Sequence, residues 1–295
     1  MIYLALVINW LSLNKSSLIF PYLQLARLDK PWGIVLLAWP TLTALCLVHT
    51  KDIGTWIVFI LGIILTRSAG CVINDYADRW LDGRVSRTKN RPLANQSIHP
   101  YKALGFFTCL LACCSLLLFF LNLKAQILSI YSAILMMIYP YTKRFFFAPQ
   151  AFLSIVFSLG IPIAYANANI SLGWQGWGLF LITAYWVVVY DTIYALIDIE
   201  DDMKANVHTL AITLGKYAHA FIRYSYLLIW LLWGIWGVML AWPFYISWVF
   251  LGISYYQQIQ DMTSQHYFNA FLKNQLAGLV LFLGVLLSIS VHILY

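Results

Sequence analysis

Nine long, almost uncharged apolar runs, near residues 32–48, 53–73, 103–121, 125–142, 150–168, 176–197, 220–241, 243–257 and 275–295, take up most of this 295-residue chain. A hydrocarbon core about 30 Å thick calls for roughly 20 apolar residues per helix. The runs are continuous rather than alternating, which selects helices over a barrel. Only 10% of the residues are charged, against about 25% in ordinary soluble domains. The chain is therefore expected to be an all-α integral membrane protein, with about nine transmembrane helices bundled around a central cavity. Nine helices leave no room for a soluble domain, so residues 1–295 read as one polytopic domain. Residues 1–13, MIYLALVINWLSL, have no basic segment before them and no clear cleavage site after them, and read as an interfacial segment or a start placed too early.

Orientation follows from the basic residues. With the N-terminus in the cytoplasm, the inside segments hold every Lys and Arg of the 18 except Lys51 and Lys124, a strong positive-inside bias. The net charge of +7 is accounted for by orientation and does not call for nucleic acid. The five cysteines lie in or at the ends of apolar runs without metal-ligand spacing, and the six histidines are scattered, so zinc and haem have no support.

The acidic residues are not explained by orientation. Eight of the twenty side chains in NDYADRWLDGRVSRTKNRPL, residues 74–93, are charged. A second acidic group, DIEDD, occupies 198–202. Asn74, Asp78 and Asp82 are spaced i, i+4, i+8, and Asp198 and Asp202 are i, i+4, so each set shares a helix face if the second and sixth spans run two turns past the hydrocarbon. Stacked carboxylates repel one another unless a positive group lies between them. Oxygen ligands without Cys or His suit a hard ion, and Mg2+ takes one or two carboxylates while phosphate and water complete its shell. A phosphorylated substrate is thus implied. The competing reading makes these solvated loop acids paired with the interleaved arginines. Arg67 and Asp191 lie inside spans, seven residues before Asn74 and Asp198. Intramembrane ionisable groups are functional candidates by default, and a structural Arg67–Asp191 ion pair is the alternative. Arg27 in RLDKP, Arg79 beside the first stripe, and the Lys143–Arg144 pair in YPYTKR lie at the same rim, as contacts to substrate phosphate or carboxylate or as snorkelling anchors.

RLDKPWGIVLLAWPTLTAL, RSAGCVINDYADR, RTKNRPL, YPYTKR, YDTIYALID and DIEDDMKANVHTLAITLG, in this order, resemble the UbiA-type intramembrane prenyltransferases, in particular the bacterial 4-hydroxybenzoate polyprenyltransferases. The resemblance implies that Asn74, Asp78 and Asp82 (NxxxDxxxD) and Asp198 and Asp202 (DxxxD) hold Mg2+ and a diphosphate. It implies further that Arg27, Arg67 and Lys143 contact phosphate and that Arg144 meets the carboxylate of the aromatic acid. Its substrates would be a polyprenyl diphosphate and 4-hydroxybenzoate, in the bacterial inner membrane with the site facing the cytoplasm. Asp191 is the candidate to polarise the phenol or take the proton. Two departures stand out: Ala94, Asn95 and Gln96 replace the usual Pro-Ser-Gly after RPL, and His208 replaces a common Lys. Homogentisate, a naphthoate or a porphyrin side chain are alternative acceptors, and a cation transporter or a purely structural subunit are the readings from other classes.

Overall fold

The computed structural model describes residues 18–294, with side chains to 291, so the expectation for residues 1–13 lies outside the described residues. These residues form helices and connecting loops, with no strand among them. In chain order the helices are α1 (Phe20–Leu25), α2 (Trp32–Leu47), α3 (Ile53–Asp82), α4 (Pro100–Leu118), α5 (Leu123–Thr142), α6 (Pro149–Ser158), α7 (Gly160–Asn167), α8 (Gly173–Leu196), α9 (Ile199–Lys204), α10 (Leu210–Leu214), α11 (Ala218–Trp236), α12 (Pro243–Thr263) and α13 (Tyr267–Leu294).

Each apolar run lies on a helix, and among the described residues seven helical segments are long and apolar enough to cross a membrane. Of the other two runs, α2 has 16 residues, whereas α12 reaches 21 but ends in the polar stretch QQIQD. The 150–168 run is split into α6 and α7. Pro162 has no N–H for the carbonyl of Ser158 and its ring crowds that carbonyl, so the helix breaks at Leu159. Gly160, just past the break, lets α2 come close: a Cβ there would lie 2.0 Å from Thr41 Oγ1.

Local signals fix several helix starts. Asp52 caps α3 by accepting from the N–H groups of Gly54 (3.1 Å) and Thr55 (2.8 Å), and Asn122 caps α5 by accepting from Ala125 N–H at 3.0 Å. Side-chain oxygens at this position satisfy backbone donors that the helix itself leaves unpaired.

The core is unevenly distributed. α8 is packed by α2, α6, α7, α11 and α13, and polar side chains cross-link this side from within. The Trp186 indole donates to Asn274 Oδ1 at 2.8 Å, and the Tyr226 hydroxyl meets both Gln258 Oε1 (2.5 Å) and Asn274 Oδ1 (3.1 Å). All four side chains are buried. On the other side, α4 packs extensively along α3 alone.

Candidate active site

α3 is one unbroken helix of 30 residues, about 45 Å long, so the first oxygen stripe exists as the spacing requires. Asn74, Asp78 and Asp82 all line one large cavity, and Asp78 and Asp82 are each 6% exposed. The second set is built differently. α8 stops at Leu196, and Asp198 stands at the N-cap of the separate short helix α9, whose first turn holds Glu200, Asp201 and Asp202. Asp202 N–H donates to the Asp198 carbonyl at 2.8 Å, which preserves the one-turn spacing. Asp198 and Asp202 line the same cavity as the α3 stripe. The two acidic groups therefore share one mouth.

Cations are threaded between them. Lys143 Nζ donates to Asn74 Oδ1 (3.2 Å) and Asp78 Oδ2 (3.0 Å). Arg91 bonds both oxygens of Asp82 at 2.9 and 2.8 Å. Arg87 clasps the Asp198 carboxylate, donates to the Tyr194 hydroxyl at 2.6 Å and lies over its ring at 4.8 Å. Ser86 N–H reaches Asp201 Oδ2 at 2.9 Å. The segment after α3 is thus moored to α8 and α9 across the mouth. Asp202 forms no side-chain hydrogen bond or ion pair among the described residues. Burial, reinforced by the neighbouring Asp198 charge, pushes its carboxyl up to about 6.

The other expected site residues are distributed unequally. Arg67 lines the cavity deeper in, its guanidinium against Gly33 and 5.3 Å from the Phe157 ring centroid, and its Nε is buried without a partner. Asp191 lines the same cavity and forms no hydrogen bond or ion pair among the described residues. The Arg67–Asp191 bridge does not form. Arg27 reaches the cavity but binds both oxygens of Asp75 at 2.8 Å. Arg79 turns away, donating to the Tyr76 carbonyl at 2.6 Å and lying 4.5 Å from the Tyr76 ring centroid. It follows Asp78 directly, so it points about 100° around the helix from the stripe. Arg144 is outside the main cavity and lines a small neighbouring pocket with Arg84, divided from the cavity by Asp78, Leu81 and Lys143. His208 lies at the mouth.

Sequence reasoning missed Asp75, Arg87, Arg91 and Asp29. Asp75 is 1% exposed and joins Arg27 to Arg91 (3.1 Å). Asp29 also lines the cavity, with one carboxylate oxygen buried and unpartnered, and burial raises its pKa. In the loop before α4, Gln96 has φ 62°, a left-handed conformation that suits glycine. Asn95 supports it by accepting from Ser97 N–H at 3.0 Å.

The cavity measures about 960 Å³ and runs from this charged mouth past Arg67 into an apolar arm that reaches Val58. The two acidic groups at its mouth offer hard oxygen ligands. Among the described residues no three His, Cys, Asp or Glu side chains are gathered tightly enough to form a protein-only metal cage. That arrangement fits Mg2+, which is held by one or two carboxylates together with substrate phosphate. Asp202, and Asp78, Asp82 and Asp198 with their cationic partners, are the carboxylates at this mouth that could take part in holding such an ion.

Known proteins agree with this architecture. Residues 37–286 match the model of the UbiA prenyltransferase family. The chain is 43% identical over 274 residues to the 4-hydroxybenzoate octaprenyltransferase of Nitrosomonas eutropha, covering 90% of this chain and 96% of that protein. It is 41% identical over 275 residues to the 4-hydroxybenzoate octaprenyltransferase of Hydrogenovibrio crunogenus, with 90% and 96% covered. Among solved structures, a UbiA homolog from Aeropyrum pernix K1 aligns with a TM-score of 0.76 at 20% identity, over 86% of this chain and 97% of that one. A UbiA homolog from Archaeoglobus fulgidus bound to GPP and Mg2+ aligns with a TM-score of 0.67 at 15% identity, over 92% and 99%. By sequence and by fold alike, this chain belongs to the UbiA prenyltransferase family.

Proposed function

We propose that this protein transfers a polyprenyl group from a polyprenyl diphosphate to the ring of 4-hydroxybenzoate, ortho to the hydroxyl, with release of diphosphate, as a step of ubiquinone biosynthesis. The observation that carries this is the joining of two oxygen sets, from α3 and from α8–α9, at the mouth of one cavity that continues into an apolar arm. Such a cavity takes a diphosphate at one end and an isoprenoid at the other. The positive-inside distribution of Lys and Arg supports a mouth that faces the cytoplasm, in a bacterial inner membrane.

Asn74, Asp78, Asp82, Asp198 and Asp202 would hold Mg2+, which as a Lewis acid stabilises charge on the departing diphosphate. Arg67 offers an unpaired guanidinium to the same group, and Lys143 and Arg87 are near enough to exchange a carboxylate for phosphate. When the allylic C–O bond breaks, its electron pair leaves with diphosphate and an allylic cation remains. Phe157, Tyr139, Tyr190 and Phe271 line the cavity around it, and ring faces stabilise cations while apolar walls exclude water. The ring carbon ortho to the phenol then forms the new C–C bond and loses its proton, for which Asp191 is the acceptor. Arg144 and Arg84, in the pocket of about 280 Å³ behind Lys143, suit the carboxylate of the aromatic acid.

The test is mass spectrometry of products from purified protein given geranyl diphosphate, Mg2+ and, in separate reactions, 4-hydroxybenzoate, homogentisate or a naphthoate. Geranylated hydroxybenzoate is expected. Preference for another acceptor overturns the acceptor assignment, and cation flux in proteoliposomes without diphosphate release overturns the transferase reading.

A further inference from the structure

Tyr190, the neighbour of Asp191, lines the cavity with no polar anchor of its own. The ring is buried, and its hydroxyl has no hydrogen-bond partner among the described residues. Its place is therefore set by the rings that touch it. Trp186 of α8 meets it edge to face with centroids 5.3 Å apart, and Phe271 of α13 meets it at 6.1 Å and 68°. Phe271 also packs on Tyr194 at 4.7 Å. Tyr190, Tyr194 and Phe271 face the cavity together, and Trp186 stands behind them.

Both rings that seat Tyr190 are tied to one side chain. Asn274 Oδ1 accepts from the Trp186 indole at 2.8 Å and from the Tyr226 hydroxyl at 3.1 Å, while Asn274 Nδ2 donates to the carbonyls of Ala270 (3.1 Å) and Phe271 (3.2 Å). Turning the amide over would set its N–H groups against donors and its oxygen against carbonyls, so the partners fix its orientation. Two lone pairs and two N–H groups are all in use. Asn274 is fully buried, about two turns into α13. A leucine there would fill the space without the cost of desolvating an amide. What the amide adds is direction: a fully satisfied buried network specifies one arrangement, here of Trp186 relative to the turn that carries Phe271.

We infer that Asn274 is a positioning residue for prenyl transfer, which seats Tyr190 through Trp186 and the Phe271 turn and so keeps water from the allylic cation until the aromatic acceptor attacks. The inference rests on the transferase reading above. Once the allylic C–O bond has broken and its electron pair has left with diphosphate, two nucleophiles compete for the same carbon. Attack by the ring carbon of the acceptor, followed by loss of its proton, gives the prenylated acid. A water oxygen that donates a lone pair and then loses a proton gives a free prenyl alcohol. A loosened wall admits water, so the share of alcohol reports on the wall, whereas total turnover reports on the amount of folded enzyme.

The experiment uses Asn274→Leu, close in shape and unable to hydrogen-bond, and measures geraniol and geranylated hydroxybenzoate formed from geranyl diphosphate, Mg2+ and 4-hydroxybenzoate, together with the melting temperature in detergent. Trp186→Phe is the second variant. It removes the indole N–H but strands no acceptor, because Asn274 keeps Tyr226, and it carries the same expectation if Asn274→Leu folds poorly. Tyr226→Phe is the control, since it also deletes a buried hydrogen bond but from a ring that stacks on Tyr255. The geraniol share is expected to rise about fivefold or more in the first two variants, the scale of one buried hydrogen bond, and to stay within about twofold of wild type in the control, although all three melt lower. An unchanged share in both Asn274→Leu and Trp186→Phe, or an equal rise in Tyr226→Phe, overturns the inference. Wild-type protein that makes no geranylated acid would instead count against the transferase reading, so the two failures are distinct.

Discussion

Asp75→Asn separates the frame of the mouth from its chemistry. The Asp75 side chain is 1% exposed and bonds Arg27, 25% exposed, and Arg91, 18% exposed. Asn keeps the shape and removes the charge that holds two guanidinium groups together. Removing one partner of a buried ion pair costs about 3–5 kcal/mol. Both arginines retain some contact with water, which places the loss near the lower end, about 3 kcal/mol. Arg27 moreover has φ 57°, a left-handed backbone conformation that costs about 1–2 kcal/mol outside glycine and that the Asp75 clamp secures. At about 2–4 °C per kcal/mol for chains of this scale, the melting temperature should fall by about 6–12 °C. Asp198→Asn is the control. Its partner Arg87, at 34%, is more exposed than Arg27 or Arg91, so this variant should melt closer to wild type than Asp75→Asn does while losing Mg2+-dependent transfer. Both are read by intrinsic tryptophan fluorescence on heating in detergent, alongside turnover. An Asp75→Asn protein that melts like wild type but has lost turnover would refute the assignment of Asp75 to the frame and make it a ligand of the site.

Asp78→Ala and Asp198→Ala should each abolish Mg2+-dependent prenyl transfer while the protein still inserts in membranes, and wild-type turnover by either would overturn the metal assignment. Because the folded-state pKa of Asp202 is raised to about 6, the stability it contributes is present below the ordinary carboxylate range and is lost as pH rises through about 6; added Mg2+ should therefore raise the melting temperature more above pH 6 than below it, and a pH-independent Mg2+ effect would count against Asp202 as a ligand. Gly33→Ala places a Cβ 2.6 Å from the Arg67 guanidinium and should displace it, raising KM for the prenyl diphosphate about tenfold, the scale of one charged hydrogen bond, with little change in melting; an unchanged KM would remove Arg67 from the diphosphate contacts.

The α3 stripe was legible because a helical period places Asn74, Asp78 and Asp82 on one face whatever surrounds them. The second stripe was legible in spacing but not in setting. The acidic residues after Asp198 mark a new helix N-terminus, and α8 accordingly ends before them rather than running on. Arg27 shows what sequence cannot supply: as a basic residue at the rim it looked available to phosphate, and only the fold reveals that Asp75, 48 residues away, holds it. Asp75 is adjacent to Asn74 yet points off the stripe, and its neighbours in space are Arg27 and Arg91. Arg79 directly follows a site position and still faces elsewhere, since one step along a helix turns a side chain by about 100°. Pro162 was readable as a helix breaker, and the apolar run through it concealed the break.

The hydrogen bonds linking Trp186, Tyr226, Gln258 and Asn274 have no water in hydrocarbon to take over if they part. The helices they join, α8, α11, α12 and α13, are thereby locked in register and act as the stator of the bundle. Among the described residues α4, packed chiefly along α3, has no buried side-chain hydrogen-bond network of this kind. Asp191 stands on α8, one of the helices joined by this polar lock, so the position of its carboxylate in the cavity is set by the buried core and not by α4.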